Sequence, residues 1–119
     1  MKSKFNCPAE MTVSLIGGKW KAILLYNLRR SRRFGDLKRR SPGITSTTLT
    51  QQLRELEASQ LIQRHEVGTS ILEGVEYSLT DKGRSLRPVL NAMIRWGIEN
   101  QSEHVLGEFG MAVFKRAPR

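Results

Sequence analysis

The chain has 119 residues, of which 39% are hydrophobic and 26% are charged, and these values predict one compact, folded domain. Lys and Arg number 20 against 11 Asp and Glu, and a net charge of +9 favours a polyanionic partner such as nucleic acid. No apolar run approaches the ~20 residues of a membrane span, and the single cysteine excludes an internal disulfide. We therefore expect an intracellular, cytoplasmic protein that does not enter a membrane.

A short helix is predicted over residues 8–16, because Pro8 suits a first helical position and a glycine pair follows. Cys7 then stands beside the N-cap. The helix carries two apolar stripes on roughly opposite sides, and Met11 and Leu15 form the second of them. A lone domain needs only one such stripe.

The next predicted helix starts at Lys19 and is apolar nearly all round, which indicates a central, buried helix. Its expected core residues are Trp20, Ile23, Leu24 and Leu28. Residues 29–40, RRSRRFGDLKRR, follow with Arg or Lys at seven of twelve positions. Alone, such a run is typical of a solvated loop. Here it contains a third predicted helix, 34–40, that can bury Phe34 and Leu37 while its basic side chains project outward.

SPGI then breaks the chain, and another helix is predicted from Thr45 as its N-cap. Leucines line one face of this helix, and the opposite arc holds Thr47, Thr50, Gln51 and Arg54. Two helices joined by a short turn, here over residues 34–58, form the helix-turn-helix pattern. An ordinary amphipathic surface helix is the alternative, but the basic run directly upstream favours DNA binding.

Polar and basic side chains of this segment can bind phosphates or base edges in a major groove. The predicted DNA contacts are Arg33, Lys38, Arg39, Arg40, Thr45, Ser46, Thr47, Thr48, Thr50, Gln51 and Arg54.

Two strands are predicted next, at residues 62–67 and 75–79, with the loop GTSILEG between them. A hairpin after a helix-turn-helix is the winged form of this unit, and residues 61–79 are its wing. The predicted fold class is therefore mainly α with a small β-hairpin wing, an α+β winged helix-turn-helix domain.

A last helix is predicted from Thr80 to about residue 100, with a bend at Pro88. Its apolar arc is wider than one core-facing stripe needs, so a second copy of the chain is expected to cover part of it. The predicted interface of this homodimer contains Met11, Leu15, Leu90, Met93, Ile94 and Trp96. Residues 105–119 add further apolar side chains and end in KRAPR, which we expect to be frayed.

Sequence motifs of catalysis and cofactor binding are missing from the chain. GGK lacks the spacing of a phosphate-binding loop, and His65 and His104 have no ligand partners at the spacing of a metal site. We expect no enzyme, no metal and no cofactor.

Several segments in order resemble the HxlR family of bacterial transcriptional regulators: CPAEMTVSLIGGKWKAILLYNL, RFGDLKRRSPGIT, LTQQLRELEASQLI and VEYSLTDKGRSLRPVL. The resemblance covers residues 7–97. It implies a winged helix-turn-helix homodimer that binds double-stranded DNA at a near-palindromic operator. One domain would span residues 1–119, with residues 8–16 and 80–114 forming the dimer interface. The wing tip TSILEG lacks the prolines and the basic residue that similar sequences usually carry there, so the resemblance does not imply a basic minor-groove contact by the wing. The threonines of TSTTLTQQ stand where relatives often carry a glutamine or a basic residue, which implies a different operator.

Cys7 has two interpretations. It is either a small apolar residue packed at a helix start or a sensor of oxidants or electrophiles. The positive end of a helix dipole favours a thiolate, and the resemblance implies sensing by a cysteine at this position. The leading hypothesis is a sequence-specific, redox- or electrophile-responsive transcriptional regulator. The alternative is a general basic nucleic-acid-binding protein of architectural kind.

Overall fold

The computed structural model describes residues 5–68 and 74–101, so the predictions for the wing tip and for the segment 105–119 lie outside the described residues. The chain divides into two compact units, one ending at Arg84 and the other starting at Ser85. The first unit contains α1 (Pro8–Ile16), α2 (Lys21–Asn27), β1 (Arg32–Arg33), α3 (Phe34–Arg39), α4 (Ser46–Ala58), β2 (Ile62–Glu66), β3 (Val75–Leu79) and α5 (Asp81–Arg84). The second contains α6 (Arg87–Glu99). None of the helices described is long and apolar enough to cross a membrane.

The helices predicted before and after the turn are confirmed, and so is the hairpin. The mainly α fold class with its wing is therefore correct. The extent of the domain, residues 1–119, stays a prediction.

The sheet has three antiparallel strands in the order β1-β3-β2, one strand more than the predicted hairpin. β1 pairs Arg32 with Tyr77 across to β3, and β2 pairs Arg64 with the same Tyr77 from the other side. Two arginines cannot display an alternation of apolar and polar residues, so β1 has no sequence signal. Arg32 is buried at 7% exposure, although a basic run of this kind, taken alone, is typical of a solvated loop.

The core of the first unit is built mainly from leucines of α2, α3 and α4 and from the start of β2. Its fully buried side chains include Leu24, Leu25, Leu28, Leu37, Leu49, Leu53, Leu56 and Leu61. Trp20 and Ile23, which we predicted to be in the core, are only half-buried, whereas Tyr26 and Asn27 are buried. Because α2 is enclosed on most of its sides, it also buries residues that lie outside the one apolar stripe expected to face the core.

The last predicted helix is two helices in the structure, because α5 ends at Arg84 and α6 begins at Arg87. Pro88 lies in the first turn of α6, where a missing amide hydrogen costs nothing, rather than at a bend inside one helix. The Thr80 hydroxyl caps α5 by accepting a hydrogen bond from the Gly83 amide at 3.0 Å. This capped turn belongs to the first unit, and α6 belongs to the second.

α5 lies very close to the backbone that joins α4 to β2. The Thr80 amide donates to the Leu61 carbonyl at 3.1 Å, and the Thr80 hydroxyl donates to the Gln60 carbonyl at 2.6 Å. Gly83 is buried, and a Cβ at this position would collide with the Leu61 carbonyl and press on Leu79. The absence of a side chain at Gly83 therefore allows this approach.

Candidate nucleic-acid interface

The turn between α3 and α4 is set by local chemistry. Gly43 adopts a φ of 92°, which glycine reaches without steric cost, and the Ile44 amide closes the turn on the Ser41 carbonyl at 3.0 Å. Thr45 then caps α4, because its hydroxyl accepts a hydrogen bond from the Thr48 amide at 3.1 Å. The same hydroxyl donates to the Thr48 hydroxyl at 3.0 Å, so both of these predicted DNA contacts also serve the cap.

α4 presents a polar surface on the side opposite its buried leucines. Five side chains line a shallow depression of about 310 Å³ there: Ser46, Thr47, Thr50, Gln51 and Arg54. We call these five residues the reading face. It contains all four residues that the helical arc predicted, together with Ser46. Their hydroxyl, amide and guanidinium groups can donate to, and in most cases accept from, base edges and phosphates.

Gln51 is connected to α2 through hydrogen bonds that pass by way of Glu55. Its Nε2 donates to Glu55 Oε2 at 2.9 Å. Lys21 Nζ of α2 donates to the other oxygen, Glu55 Oε1, at 2.5 Å and to Gln52 Oε1 at 3.1 Å. These hydrogen bonds from Lys21 and then Gln51 lower the pKa of the Glu55 carboxyl below its ordinary value. Lys21 and Glu55 were not predicted as site residues, because they lie on different helices and are 34 residues apart in the chain.

The Asp36 carboxylate binds three of the arginines in the basic run, residues 29–40. It accepts hydrogen bonds from Arg32 Nη1 at 2.8 Å, from Arg39 Nη2 at 3.2 Å and from Arg40 Nε at 3.4 Å. The hydrogen bond from Arg32 is the main cause that lowers the pKa of Asp36. Arg39 remains largely exposed at its predicted place, and Arg40 is half-buried.

Lys38 and Arg33 are both exposed, as predicted. Within residues 5–68 and 74–101, the Lys38 side chain makes no hydrogen bond or ion pair. The Arg33 side chain passes beside Gly74 at the base of the wing, so that a Cβ on Gly74 would lie 3.3 Å from Arg33 Nη1. Lys38 lies on α3 itself and Arg33 is the N-cap residue of α3, so neither cation belongs to the reading face of α4.

A deeper cleft of about 440 Å³ separates α4 from the sheet. It is lined by Phe34, Thr50, Leu53, Arg54, Glu57, Arg64 and Tyr77. Arg64 on β2 was not among the predicted DNA contacts. It is exposed and lines the side of the cleft that faces α4. The sequence signal was a basic residue on the predicted wing strand itself, whereas our prediction considered only the wing tip. Arg54 and Arg64 bring two guanidinium groups to one cleft.

The residues predicted for a dimer interface differ in exposure. Met11 on α1 is 45% exposed, and Met93 and Trp96 on α6 are 48% and 68% exposed. Leu15 and Ile94 are half-buried. Leu90 is only 3% exposed within the single chain, so it has almost no surface left for a second copy, contrary to the prediction.

Val89 completes the exposed stripe on α6. It is 38% exposed and lies one turn before Met93 and two turns before Trp96. We call Val89, Met93 and Trp96 the apolar stripe of α6. The wide arc in the sequence indicated such a surface, but the choice among its members needed the structure.

Cys7 is exposed and occupies the N-cap position of α1 in an extended conformation. Its backbone carbonyl accepts from the Glu10 amide at 3.1 Å, while its side chain makes no capping hydrogen bond to the helix described here. The thiol is therefore accessible and is not packed as a small apolar side chain. Lys2 and Lys4, two further positive charges close to Cys7 in the sequence, lie outside the described part of the chain.

Comparisons with known proteins place this geometry in a family. A profile of the HxlR-like helix-turn-helix family matches residues 15–105. The HTH-type transcriptional regulator YdzF of Bacillus subtilis (strain 168) is 48% identical over 102 residues, which cover 84% of this chain and 93% of that protein. The solved structure of the redox regulator HypR in its oxidised form has a TM-score of 0.74 and 46% identity, covering 81% of this chain and 99% of that one.

A more distant structure has the same fold. The reduced form of the transcriptional regulator YodB from Bacillus subtilis has a TM-score of 0.67 and 28% identity, and the match covers 81% of this chain and 95% of that one. The profile, the relatives and the reading face on α4 agree with one another. The chain belongs to the HxlR-like helix-turn-helix family and is a DNA-binding transcriptional regulator.

Proposed function

We propose that the protein binds a near-palindromic operator as a homodimer and that each α4 lies in a major groove. The observation that carries this proposal is the reading face, where five donor or acceptor side chains stand together opposite the buried leucines. In a dimer with two-fold symmetry, two such helices enter successive major grooves ~34 Å apart. The half-sites are then separated by one helical turn or by a multiple of it.

The contacts are of two kinds in this proposal. Thr47 and Gln51 read base edges, because they are exposed at the N-terminal half of α4. The cations Arg33, Lys38, Arg39 and Arg40, joined by Arg64 from the sheet, bind phosphates and set the register of the complex. Arg54 borders both the reading face and the cleft, so it can serve either kind of contact.

The apolar stripe of α6 and the exposed Met11 of α1 supply the dimer interface. Large apolar side chains that are exposed on one helical face lose water contact favourably when a second copy covers them. The symmetric contact between two copies is the common solution for soluble proteins. A regulator of this kind acts where bacterial DNA is, in the cytoplasm.

Cys7 makes the regulator responsive to oxidants or electrophiles. It is exposed at the start of α1, and it is the only cysteine in the chain. The similar structures include HypR in oxidised and reduced forms and YodB in reduced and diamide-treated forms, which supports a thiol-based response. Modification yields a Cys7 to Cys7 disulfide across the dimer, a mixed disulfide with a small thiol, or an adduct.

Selection of DNA from a random duplex library by the purified protein tests the operator proposal. At fixed salt, a sequence-specific regulator is expected to enrich one two-fold motif and to bind it ~10³-fold or more tightly than random duplex. A general architectural protein would bind all sequences with similar affinity. Enrichment of no motif would contradict the operator and would favour the architectural alternative.

A gel-shift titration with diamide tests the response of Cys7. Diamide accepts two electrons and two protons from two thiols, which then form one disulfide. We expect diamide to change operator binding by the wild type, dithiothreitol to reverse the change, and Cys7→Ser to bind DNA without responding. An equal response of both proteins, or no response of either, would remove Cys7 from the mechanism.

A further inference from the structure

Gln51 carries an amide whose two ends recognise different partners. Its Oε1 only accepts hydrogen bonds, and its Nε2 only donates them, through two N–H groups. A free glutamine can turn either end toward a base. Which end faces the DNA therefore decides what the side chain reads, and this orientation depends on its neighbours.

The neighbour that orients Gln51 is Glu55, one turn further along α4. Glu55 Oε2 accepts a hydrogen bond from Gln51 Nε2 at 2.9 Å, and Glu55 Oε1 accepts one from Lys21 Nζ at 2.5 Å. Lys21 belongs to α2, and its side chain is only 14% exposed. The fold of the first unit therefore holds the ammonium group beside Glu55. The pKa of Glu55 is lowered, mainly by Lys21, so its carboxylate is ionised at neutral pH.

An ionised carboxylate has no hydrogen to donate, so it can only bind the Nε2 end of Gln51. The opposite orientation would bring Oε1 against Glu55, with two acceptors facing each other. One N–H group of Gln51 is thereby occupied. One N–H group and Oε1 remain for the DNA.

We propose that Glu55, supported by Lys21, is a positioning residue that makes Gln51 select adenine over guanine in each half-site. This inference rests on the proposed reading of bases by Gln51. Adenine presents a donor, N6–H, beside an acceptor, N7, and this pair matches Oε1 and the remaining N–H. Guanine presents two acceptors, N7 and O6, which would require two N–H groups. Fixing the amide before binding also removes part of the ordering cost of a flexible side chain.

Base preference in selected DNA tests the inference. The wild type, Gln51→Ala, Glu55→Ala, Glu55→Gln and the double variant Gln51→Ala/Glu55→Ala are each used to select from a random duplex library at one salt concentration. The readout is the ratio of adenine to guanine at each operator position. This ratio compares bases within one population of folded protein, so a loss of stability does not change it.

We expect the wild type to favour adenine at one position in each half-site, and Gln51→Ala to lose this preference. Glu55→Ala is expected to lower the ratio about 3- to 10-fold at that position alone. Glu55→Gln retains a carbonyl that can accept from Gln51, so it should keep more of the preference than Glu55→Ala. In the double variant, removal of Glu55 should have no further effect.

Glu57→Ala is the matched control, because it removes the same charge from the same helix. Glu57 lines the cleft between α4 and the sheet, away from the amide of Gln51. Loss of either charge should raise the affinity for all DNA, and only loss of Glu55 should alter the ratio.

An unchanged ratio in Glu55→Ala, or an equal change in Glu57→Ala, overturns the inference while leaving the regulator's motif intact. A motif that Gln51→Ala leaves unaltered also overturns it. If the wild type selects no motif, the proposed function fails first and the inference fails with it.

Discussion

Asp36 accepts hydrogen bonds from three arginines, and only one of them is buried. Arg32 is 7% exposed, and besides Asp36 it donates from Nε to the Asn27 carbonyl at 2.5 Å. A buried guanidinium needs partners for its N–H groups, since an unpaired charge is costly away from water. Arg39 is exposed and can leave Asp36 for a phosphate. One carboxylate thus stabilises the fold through Arg32 and also binds Arg39 and Arg40, the two outer arginines that we propose contact phosphates.

Replacement of Asp36 by Asn is expected to lower the free energy of unfolding by about 1–3 kcal/mol at pH 7. The pKa of Asp36 is lowered in the folded protein, so the ionised form stabilises the fold above the unfolded-state value of 3.8. This stabilisation is lost as the pH falls through the folded-state pKa. The difference between wild type and Asp36→Asn should therefore shrink below about pH 4.

Urea unfolding at fixed protein concentration and several pH values measures this difference. Asp81→Asn is the control, because Asp81 pairs with Arg84 but its side chain is 99% exposed. The control should change stability little at any pH. A difference for Asp36→Asn that persisted unchanged into acid would contradict the assignment.

Arg64 offers a test of the cleft. Arg64→Ala should weaken binding to the operator and to random duplex by similar factors, because a phosphate contact does not depend on base sequence. The slope of log affinity against log salt should fall by about one unit. Arg87→Ala, which removes the same charge from the first turn of α6, should leave the slope unchanged. An unaltered slope in Arg64→Ala would place Arg64 outside the DNA surface.

At the scale of elements, α5 shows how a single missing side chain positions a helix. Gly83 lets this four-residue helix lie against the Leu61 carbonyl, and Thr80 ties its start to the same loop. The loop joins α4 to β2, so α5 supports the junction between the helix-turn-helix and the wing.

Gly83→Ala is expected to destabilise the protein by about 1–3 kcal/mol, because its Cβ would meet backbone rather than a flexible side chain. Gly35→Ala is the matched control. A Cβ there would meet only Arg39 Nη1, at 3.8 Å, so the variant should be neutral or gain about 0.5 kcal/mol from helix propensity. The urea midpoint of each variant measures the effect. Equal midpoints for both variants would show that α5 can shift without cost.

At the scale of the whole molecule, the proposed dimer depends on the exposed apolar stripe of α6. Met93→Glu should raise the dimer dissociation constant about 30-fold or more, because a charge would be buried at the centre of the interface. Arg87→Glu, on a different face of α6, should change it little. Sedimentation equilibrium at micromolar concentration distinguishes the two. A wild type that stays monomeric there would contradict the dimer.

The sequence alone determined the features that depend on local pattern. The period of the leucines and threonines in residues 46–58 placed the buried and polar faces of α4, and Pro42 and Gly43 placed the turn before it. Cap residues and alternation are properties of neighbouring residues, so they can be read directly from the chain. The family resemblance rests on the same segments.

The tertiary structure decided what depends on residues far apart in the chain. Burial of Arg32, the third strand, the contact of Lys21 with Glu55 and the approach of Arg64 to α4 all join separate elements. Pro88 also illustrates the limit, since the sequence allowed either a bend or a new helix start. Local propensity is nearly balanced at such positions, and the packing of distant residues determines the outcome.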